Sequence, residues 1–346
     1  MKKITDEDSY SLKIRDLPYS VKTKDGIQRG TYRFSTFHEA RNTGSIAFHD
    51  VEDAHHAEYS GDLVDIIGSN KGIYFWLLDY SGKTLPKAFM DAYERKRLEI
   101  EELVGRYKHN PKEIASILDD MLVDLKIPEE TRKHILLMKK LGYGYKKICK
   151  SAGGYDVDRY TVNRILEEER IRDEEKMQIE ELKRSGINDP NSYIKRARLI
   201  GDMDFLTGDF VRLVGDEMIY CSAASEVSPK IVYPNGKIIP IHSDDRGRCL
   251  GLDIDGYNSP LTEVKEIFVK GSRAIFCTDG TQTMHVRDYK REDKLVTVDS
   301  SHILESYIKK HPKSYASDIF DKFYRELKQR RADRSDDITI VLVDHL

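Results

Sequence analysis

The stretch that most constrains the fold runs from Ser60 to Lys83, SGDLVDIIGSNKGIYFWLLDYSGK. Its apolar arms, Val64–Ile67 and Ile73–Leu78, flank Gly68-Ser69-Asn70-Lys71-Gly72, a composition suited to a hairpin turn. The second arm is rich in aromatic and branched apolar residues, as strands are. A turn centred between Asn70 and Lys71 sets Asp62 opposite Asp79 at the open end of the hairpin, roughly 5 Å apart at Cβ. Two carboxylates so placed repel each other, and a divalent cation between them removes the conflict.

The rest of the chain fits a mixed fold with an interruption. Residues 1–60 read as β-structure with loops, because Tyr10, Leu12 and Ile14 alternate, as do Tyr32 and Phe34. The acid- and histidine-rich run His49–His56 reads as a solvated loop, since no i, i+4 histidine pair frames a glutamate. Helices are predicted over Lys87–Tyr107 and Lys112–Leu125. Residues 127–200 then change character. Arg132–Arg164 carries nine Lys and Arg against two Asp, and Glu167–Arg184 holds eight acids and five bases with few apolar positions. Strand patterns return at Asp209–Val214, Glu217–Ser222, Lys230–Tyr233 and Lys237–Ile241. Ser272–Cys277 runs as a strand straight into Thr278-Asp279-Gly280. Helical patterns follow at His302–Lys310 and Tyr315–Gln329, and a last strand, Ile338–Val343, begins just after Asp336-Asp337.

Acids therefore stand at strand ends: Asp62, Asp65, Asp79, Asp279, Asp336 and Asp337. If the strands after Ser272 and Ile338 pair antiparallel, the end of one meets the start of the other, and the acids collect at one sheet edge. Oxygen-only donor sets of this kind suit Mg²⁺ or Mn²⁺.

These motifs, in this order, resemble the metal-dependent protein phosphatase family (protein phosphatase 2C-like), in its bacterial SpoIIE-type branch. The branch carries GDxxD, D-x-SGKG-x-P, TDG and DD-x-T. This chain has GDLVD at 61–65, DYSGKTLP at 79–86, TDG at 278–280 and DDIT at 336–339. The resemblance covers residues 55–126 and 203–346, and YCSAASEVSP at 220–229 is similar to the branch's YANAGHPP segment. It implies an α+β fold, an α-β-β-α sandwich, with residues 1–126 and 201–346 forming one discontinuous phosphatase domain and residues 127–200 an inserted all-helical subdomain.

The resemblance further implies two Mn²⁺ or Mg²⁺ ions. Asp79 would bridge them, the Tyr80 backbone carbonyl would bind one, Asp279 and Asp336 would complete that site, and Asp62 would serve the other. Asp65 and Asp337 would hold waters around the cluster. A water between the ions would attack phosphorus in line. The substrate implied is a phosphoserine or phosphothreonine on a signalling protein, such as an anti-anti-sigma-type regulator. Two positions depart from the branch: Thr84 stands where Gly is usual, and Ser225-Glu226 stand where Gly-His is usual.

The insertion has its own pattern. Helices are expected over Glu129–Leu141, Tyr145–Ser151 and Arg159–Glu169, with a core of Ile148, Val157, Thr161, Val162, Ile165 and Leu166. Residues 142–166 resemble the helix-turn-helix of resolvase-like regulators, with a turn about three residues longer than usual. That resemblance implies DNA contacts by Lys146, Lys147, Lys150, Arg159, Tyr160 and Arg164. A protein-sensing helical subdomain is the other reading, and a regulator that keeps the phosphatase fold as a scaffold is the alternative to an enzyme.

Composition limits the remainder. The net charge is −3 with 34% charged residues, so the molecule as a whole is not a polyanion binder. The four cysteines form no CxxC pair, which fits reduced thiols of a cytoplasmic protein. No secretory leader is read at the N-terminus, no apolar run is long enough to span a bilayer, and no membrane role is expected.

Overall fold

The computed structural model describes residues 10–23, 26–39, 45–48, 59–69, 71–84, 87–107, 109–125, 129–151, 162, 165–166, 206–225, 227–241, 249–251, 261–282, 284–288, 291–329, 333–334 and 338–346. Its chain divides into two compact units, Met1–Leu122 with Leu206–Leu346, and Val123–Phe205.

In chain order the elements are β1 (Ser11–Thr23), β2 (Gly26–Glu39), β3 (Ser45–Phe48), β4 (Tyr59–Ser69) and β5 (Gly72–Thr84), then helices α1 (Lys87–Arg106), α2 (Pro111–Leu125), α3 (Glu129–Lys140) and α4 (Tyr145–Ser151). Strands resume with β6 (Leu206–Val214), β7 (Glu217–Ala223), β8 (Lys230–Val232), β9 (Ile238–Pro240), β10 (Glu263–Ile267) and β11 (Arg273–Cys277). A 3₁₀ turn, Asp279–Thr281, leads to β12 (Met284–Asp288) and β13 (Arg291–Val298). Helices α5 (Ser301–Lys310) and α6 (Ala316–Gln329), a short β14 (Asp333–Arg334) and β15 (Ile338–His345) complete the chain.

Two six-stranded sheets form the centre of the larger unit. One has the order β1-β2-β15-β11-β8-β9, the other β10-β7-β6-β5-β4-β3. The uninterrupted apolar run of β5 is explained by their stacking. Ile73, Phe75 and Leu77 pack between the sheets with Phe34, Val211, Phe276 and Val341, and Phe75 meets Phe34 and Phe276 edge-on at 5.5 and 4.8 Å. Tyr74 and Trp76 face the other way, toward helices. The Trp76 indole donates to the Tyr93 hydroxyl of α1 at 2.7 Å, and Tyr74 donates to the His109 carbonyl just ahead of α2 at 3.0 Å. On the first sheet the outer face carries Phe37, Ile275, Ile340 and Leu342, covered by Leu304 and Ile308 of α5 and by Phe320, Phe323 and Leu327 of α6. The layers are thus helix, sheet, sheet, helix, the α-β-β-α sandwich expected. Close approach of β6 to β5 requires a glycine at 208, where an added Cβ would lie 2.4 Å from the Leu77 carbonyl oxygen.

A third sheet, β13-β12-β14, was not legible in the sequence. It branches from the main body between the TDG and DDIT motifs, since β12 starts shortly after Gly280 and β14 ends just before Asp336.

Within the smaller unit the described secondary structure is helical. Ile135 and Met138 of α3, Ile148 of α4, and Val162 and Ile165 form its core, with Leu166 partly buried against it. Ile148, Val162, Ile165 and Leu166 are four of the predicted core positions. Val157, Thr161 and most of the expected third helix, including Arg159, Tyr160 and Arg164, lie outside the described residues, as do His49–His56.

Candidate active site

The inner faces of the two sheets are apolar along most of their length and turn polar together at one end. On β2 the inward row Tyr32, Phe34, Thr36 ends on His38. On β15 the row Val343, Val341 ends on Thr339, and on β11 the row Ala274, Phe276 runs out to Thr278. On the facing sheet Val64 gives way to Asp62, Phe75 and Leu77 to Asp79, and Leu213 and Val211 to Asp209. Strand alternation puts these residues on one face, and strand pairing puts them at one end.

The hairpin register is the expected one: Asp62 lies directly opposite Asp79 in the β4–β5 ladder. A register shift between Ser60 and Asp62 bends the strand at that point. Asp62 is buried, at 3% exposure, while Asp79 is half-buried. Thr207 of β6 stands opposite Asp79 on its other side. The strands carrying the remaining acids also pair as anticipated. β11 and β15 run antiparallel with Cys277 opposite Ile340, and the Thr278 amide donates to the Thr339 carbonyl at 3.0 Å. Asp279 follows at once, half-buried at the start of the 3₁₀ turn.

The Asp62 carboxylate is tied to the opposite sheet. Its Oδ2 accepts from Thr278 Oγ1 at 3.2 Å and from Thr339 Oγ1 in a shorter contact. Thr278 Oγ1 in turn accepts from the Thr339 amide at 3.0 Å. His38 Nδ1 lies 2.9 Å from Thr339 Oγ1, and the two residues are direct partners in the β2–β15 register. Burial pushes the His38 imidazole down to about 4.

Asp65 is placed elsewhere. Three residues from Asp62 along an extended strand, it points to the opposite face of the sheet. There its carboxylate accepts from Arg97 Nε at 2.6 Å, from the Tyr93 hydroxyl at 2.9 Å and from the Ile66 amide at 2.7 Å. The expectation that Asp65 steadies waters beside Asp62 is corrected by this pleat: its partners belong to helix α1. Asp336 and Asp337 lie outside the described residues. Among the described residues no three histidine, cysteine or acidic side chains converge to hold a metal. Asp62, Asp79, Tyr80 and Asp279 are thus the described part of the predicted set.

One acid at this end was missed. Asp209 is buried at 1% exposure and accepts from the Tyr220 hydroxyl at 2.7 Å. Burial raises its carboxyl to about 7, against the opposing effect of the Tyr220 and Ser225 hydroxyls. The sequence held a signal for it: an acid at an inward position of an otherwise apolar alternation, Asp209, Val211, Leu213. The glycine-like position of the following segment also shifts. Ala224, not Ser225, has a left-handed backbone, with φ of 51°.

In the smaller unit Lys146, Lys147 and Lys150 are exposed on α4. Lys147 lies over the Tyr143 ring at 3.8 Å from its centroid, and Lys139 over Tyr145 at 4.3 Å.

Residues 193–346 match the model of a family described as Stage II sporulation protein E (SpoIIE). Over those residues the chain is similar to that family. The matched residues include the TDG and DDIT motifs but not Asp62 and Asp79, which stand on their own strand register. Solved structures similar to this one include the SiaA-PP2C domain of Pseudomonas aeruginosa, at 12% identity over 83% of this chain and 81% of that one with a TM-score of 0.49. RsbX in complex with magnesium has 13% identity over 95% of this chain and 100% of its own, with a TM-score of 0.43. The PP2C domain with a regulatory fragment of SpoIIE from Bacillus subtilis has 14% identity over 96% and 70%, with a TM-score of 0.38. No curated protein matches the sequence. Among the described residues no helix is long and apolar enough to cross a membrane.

Proposed function

We propose that the SpoIIE-type domain hydrolyses phosphoserine or phosphothreonine on a signalling protein and uses Mn²⁺ or Mg²⁺, two ions to a site. The observation that carries this reading is the direct opposition of Asp62 and Asp79 at the polar end of the inter-sheet core. Two carboxylates on neighbouring strands destabilise the pair unless a cation lies with them. The donors around them are oxygens throughout, which suits hard divalent ions over zinc or copper.

Asp62, Asp79, Asp279 and Asp336 would hold the ions with the Tyr80 backbone carbonyl, and Asp337 would act through water. When bound, the ions supply Lewis acidity toward the phosphoryl oxygens and lower the pKa of water. The chain's own residues do the positioning. Pairing of β4 with β5 fixes Asp62 against Asp79, and pairing of β11 with β15 brings Thr278, the residue before Asp279, to Asp62. The apolar layer behind, Val64, Leu77 and Phe276, keeps water from the buried side of the acids. The partner we assign is a phosphorylated regulator of the anti-anti-sigma type, on the strength of the motif resemblance. For residues 127–200 the proposed role is regulatory. Of the candidate DNA contacts, only Lys146, Lys147 and Lys150 are among the described residues, and Lys147 rests on Tyr143.

Phosphate release from a phosphoserine protein should require Mn²⁺ or Mg²⁺, stop with EDTA, and exceed release from a phosphotyrosine substrate. Full activity in EDTA would end the metal reading, and fastest cleavage of phosphotyrosine would end the substrate reading. Absence of release with either ion would favour a scaffold.

A further inference from the structure

The hydrogen bonds around Asp62 have a fixed direction. Thr339 Oγ1 sits against Asp62 Oδ2, and a carboxylate oxygen only accepts, so the Thr339 hydroxyl hydrogen must lie between them. With its one hydrogen spent, Thr339 Oγ1 can only accept from His38 Nδ1, 2.9 Å away. His38 therefore carries its proton on Nδ1. Its Nε2 is buried and has no hydrogen-bond partner among the described residues, consistent with a bare lone pair rather than a stranded N–H. Thr278 follows the same logic: its oxygen accepts the Thr339 amide, so its hydrogen goes to Asp62.

We propose that His38 and Thr339 are positioning residues, a two-step donor chain from β2 through β15 that orients the Asp62 carboxylate for a divalent ion. The inference rests on the reading of Asp62 as a metal ligand. What makes the chain suitable is its neutrality. An arginine in the same place would fix Asp62 equally well but would cancel its charge, as Arg97 does for Asp65. Hydroxyl donors fix one oxygen and add no positive charge of their own. Burial keeps the His38 imidazole uncharged at neutral pH, so no positive charge enters from behind. The strand register supports a dedicated arrangement, because His38 and Thr339 are direct cross-strand partners while Thr278 is hydrogen-bonded to Thr339 through both amide and hydroxyl.

The test is calorimetric titration of the full chain with Mn²⁺ alone, on wild type and two pairs of variants, with thermal denaturation in EDTA as the fold control. Thr339→Val should weaken Mn²⁺ binding about 10-fold or more, while Thr339→Ser, which keeps the hydroxyl, should restore it to within about threefold. His38→Leu should weaken binding several-fold, and His38→Asn, whose side-chain N–H can reach the position of Nδ1, should recover most of it. A purely structural role would make the loss follow side-chain volume, not the presence of a donor. Wild-type affinity in Thr339→Val, or a Thr339→Ser variant as weak as Thr339→Val, overturns the proposal. Should Thr339→Val fail to fold, the His38 pair decides: equal Mn²⁺ affinity in His38→Leu and wild type rejects the chain. Wild-type protein that takes up no Mn²⁺ removes Asp62 as a ligand and fails the metal reading and this one together. Normal wild-type binding with unaltered variants fails this one alone.

Discussion

Asp62 and Asp65 belong to the same five-residue motif and are both buried, at 3% and 4% exposure, yet they are held in opposite ways. Asp65 faces helix α1 and is matched by a full positive charge from Arg97, with Tyr93 and the Ile66 amide taking up its remaining oxygen positions. Asp62 faces the other sheet and receives two threonine hydroxyls. Desolvating a carboxylate costs several kcal/mol unless something compensates it. On the helix side compensation is built in, so the site is finished as folded. On the inter-sheet side the two threonine hydroxyls orient the carboxylate and bring no charge of their own, and Asp79 stands opposite as a second acid. One side of the strand holds the fold together, and the other carries the site proposed for a cation.

The largest effect expected from breaking this division is on activity. Asp79→Asn or Asp279→Asn should abolish measurable phosphate release while far-ultraviolet circular dichroism stays native. In metal-free buffer Asp79→Asn should raise Tm, because removing one of two opposed carboxylates relieves their repulsion. A variant that keeps wild-type turnover would show that the inter-sheet acids are not the reacting centre.

The second effect is on stability. Arg97→Met leaves Asp65 buried without its cation, and breaking a buried pair from one side costs about 3–5 kcal/mol. Denaturant unfolding should show that loss, while Mn²⁺ affinity stays near wild type. If Arg97→Met weakens Mn²⁺ as much as Thr339→Val does, the two faces of β4 are coupled and the division fails.

How far the sequence disclosed this arrangement depended on how local the cause was. The Asp62–Asp79 opposition was legible because a turn of known chemistry sits between them and fixes the register within one hairpin. The helix-side role of Asp65 was in principle readable from the strand's two-residue period, but the motif drew both acids into one cluster. Thr278 and Thr339 could be noticed as neighbours of acids in TDG and DDIT, though not their shared contact with Asp62. His38 carried no signal at all. It lies in no motif, and it reaches Thr339 only because β2 and β15, the second and last strands, pair across nearly the whole chain. The β12–β13–β14 sheet escaped for a different reason: its strands hold too many charged residues to show an apolar alternation.

A smaller effect tests whether the backbone beside Asp79 is as tightly determined as its register implies. An alanine at Gly208 would put its Cβ 2.4 Å from the Leu77 carbonyl oxygen, and a backbone atom cannot step aside as a flexible side chain can. Gly208→Ala should lower stability by about 1–3 kcal/mol and loosen the β5–β6 pairing that carries Asp79 and Thr207. An unaltered unfolding midpoint would mean that β6 moves away from β5 without penalty.

The finest distinction concerns two titrating groups at the polar end of the core, whose contributions to stability run in opposite directions. Asp209 titrates at about 7 in the fold and at 3.8 when unfolded. Between those values the folded chain holds a proton that the unfolded chain has lost, so its contribution falls as pH rises. His38 titrates at about 4 in the fold against 6.5. In its window the unfolded chain holds the extra proton, so its contribution rises with pH. Over the shared interval, pH 5 to 6, each contributes a slope of about 1.4 kcal/mol per unit and the two oppose. Denaturant unfolding in EDTA at pH 5 and 6 should therefore change differently in two variants. Relative to wild type, Asp209→Asn should gain about 1.4 kcal/mol more stability on going from pH 5 to pH 6, and His38→Asn about that much less. Parallel profiles for wild type and both variants would show that neither group is desolvated as its burial indicates, and the polar end of the core would then be open to water rather than closed around Asp62.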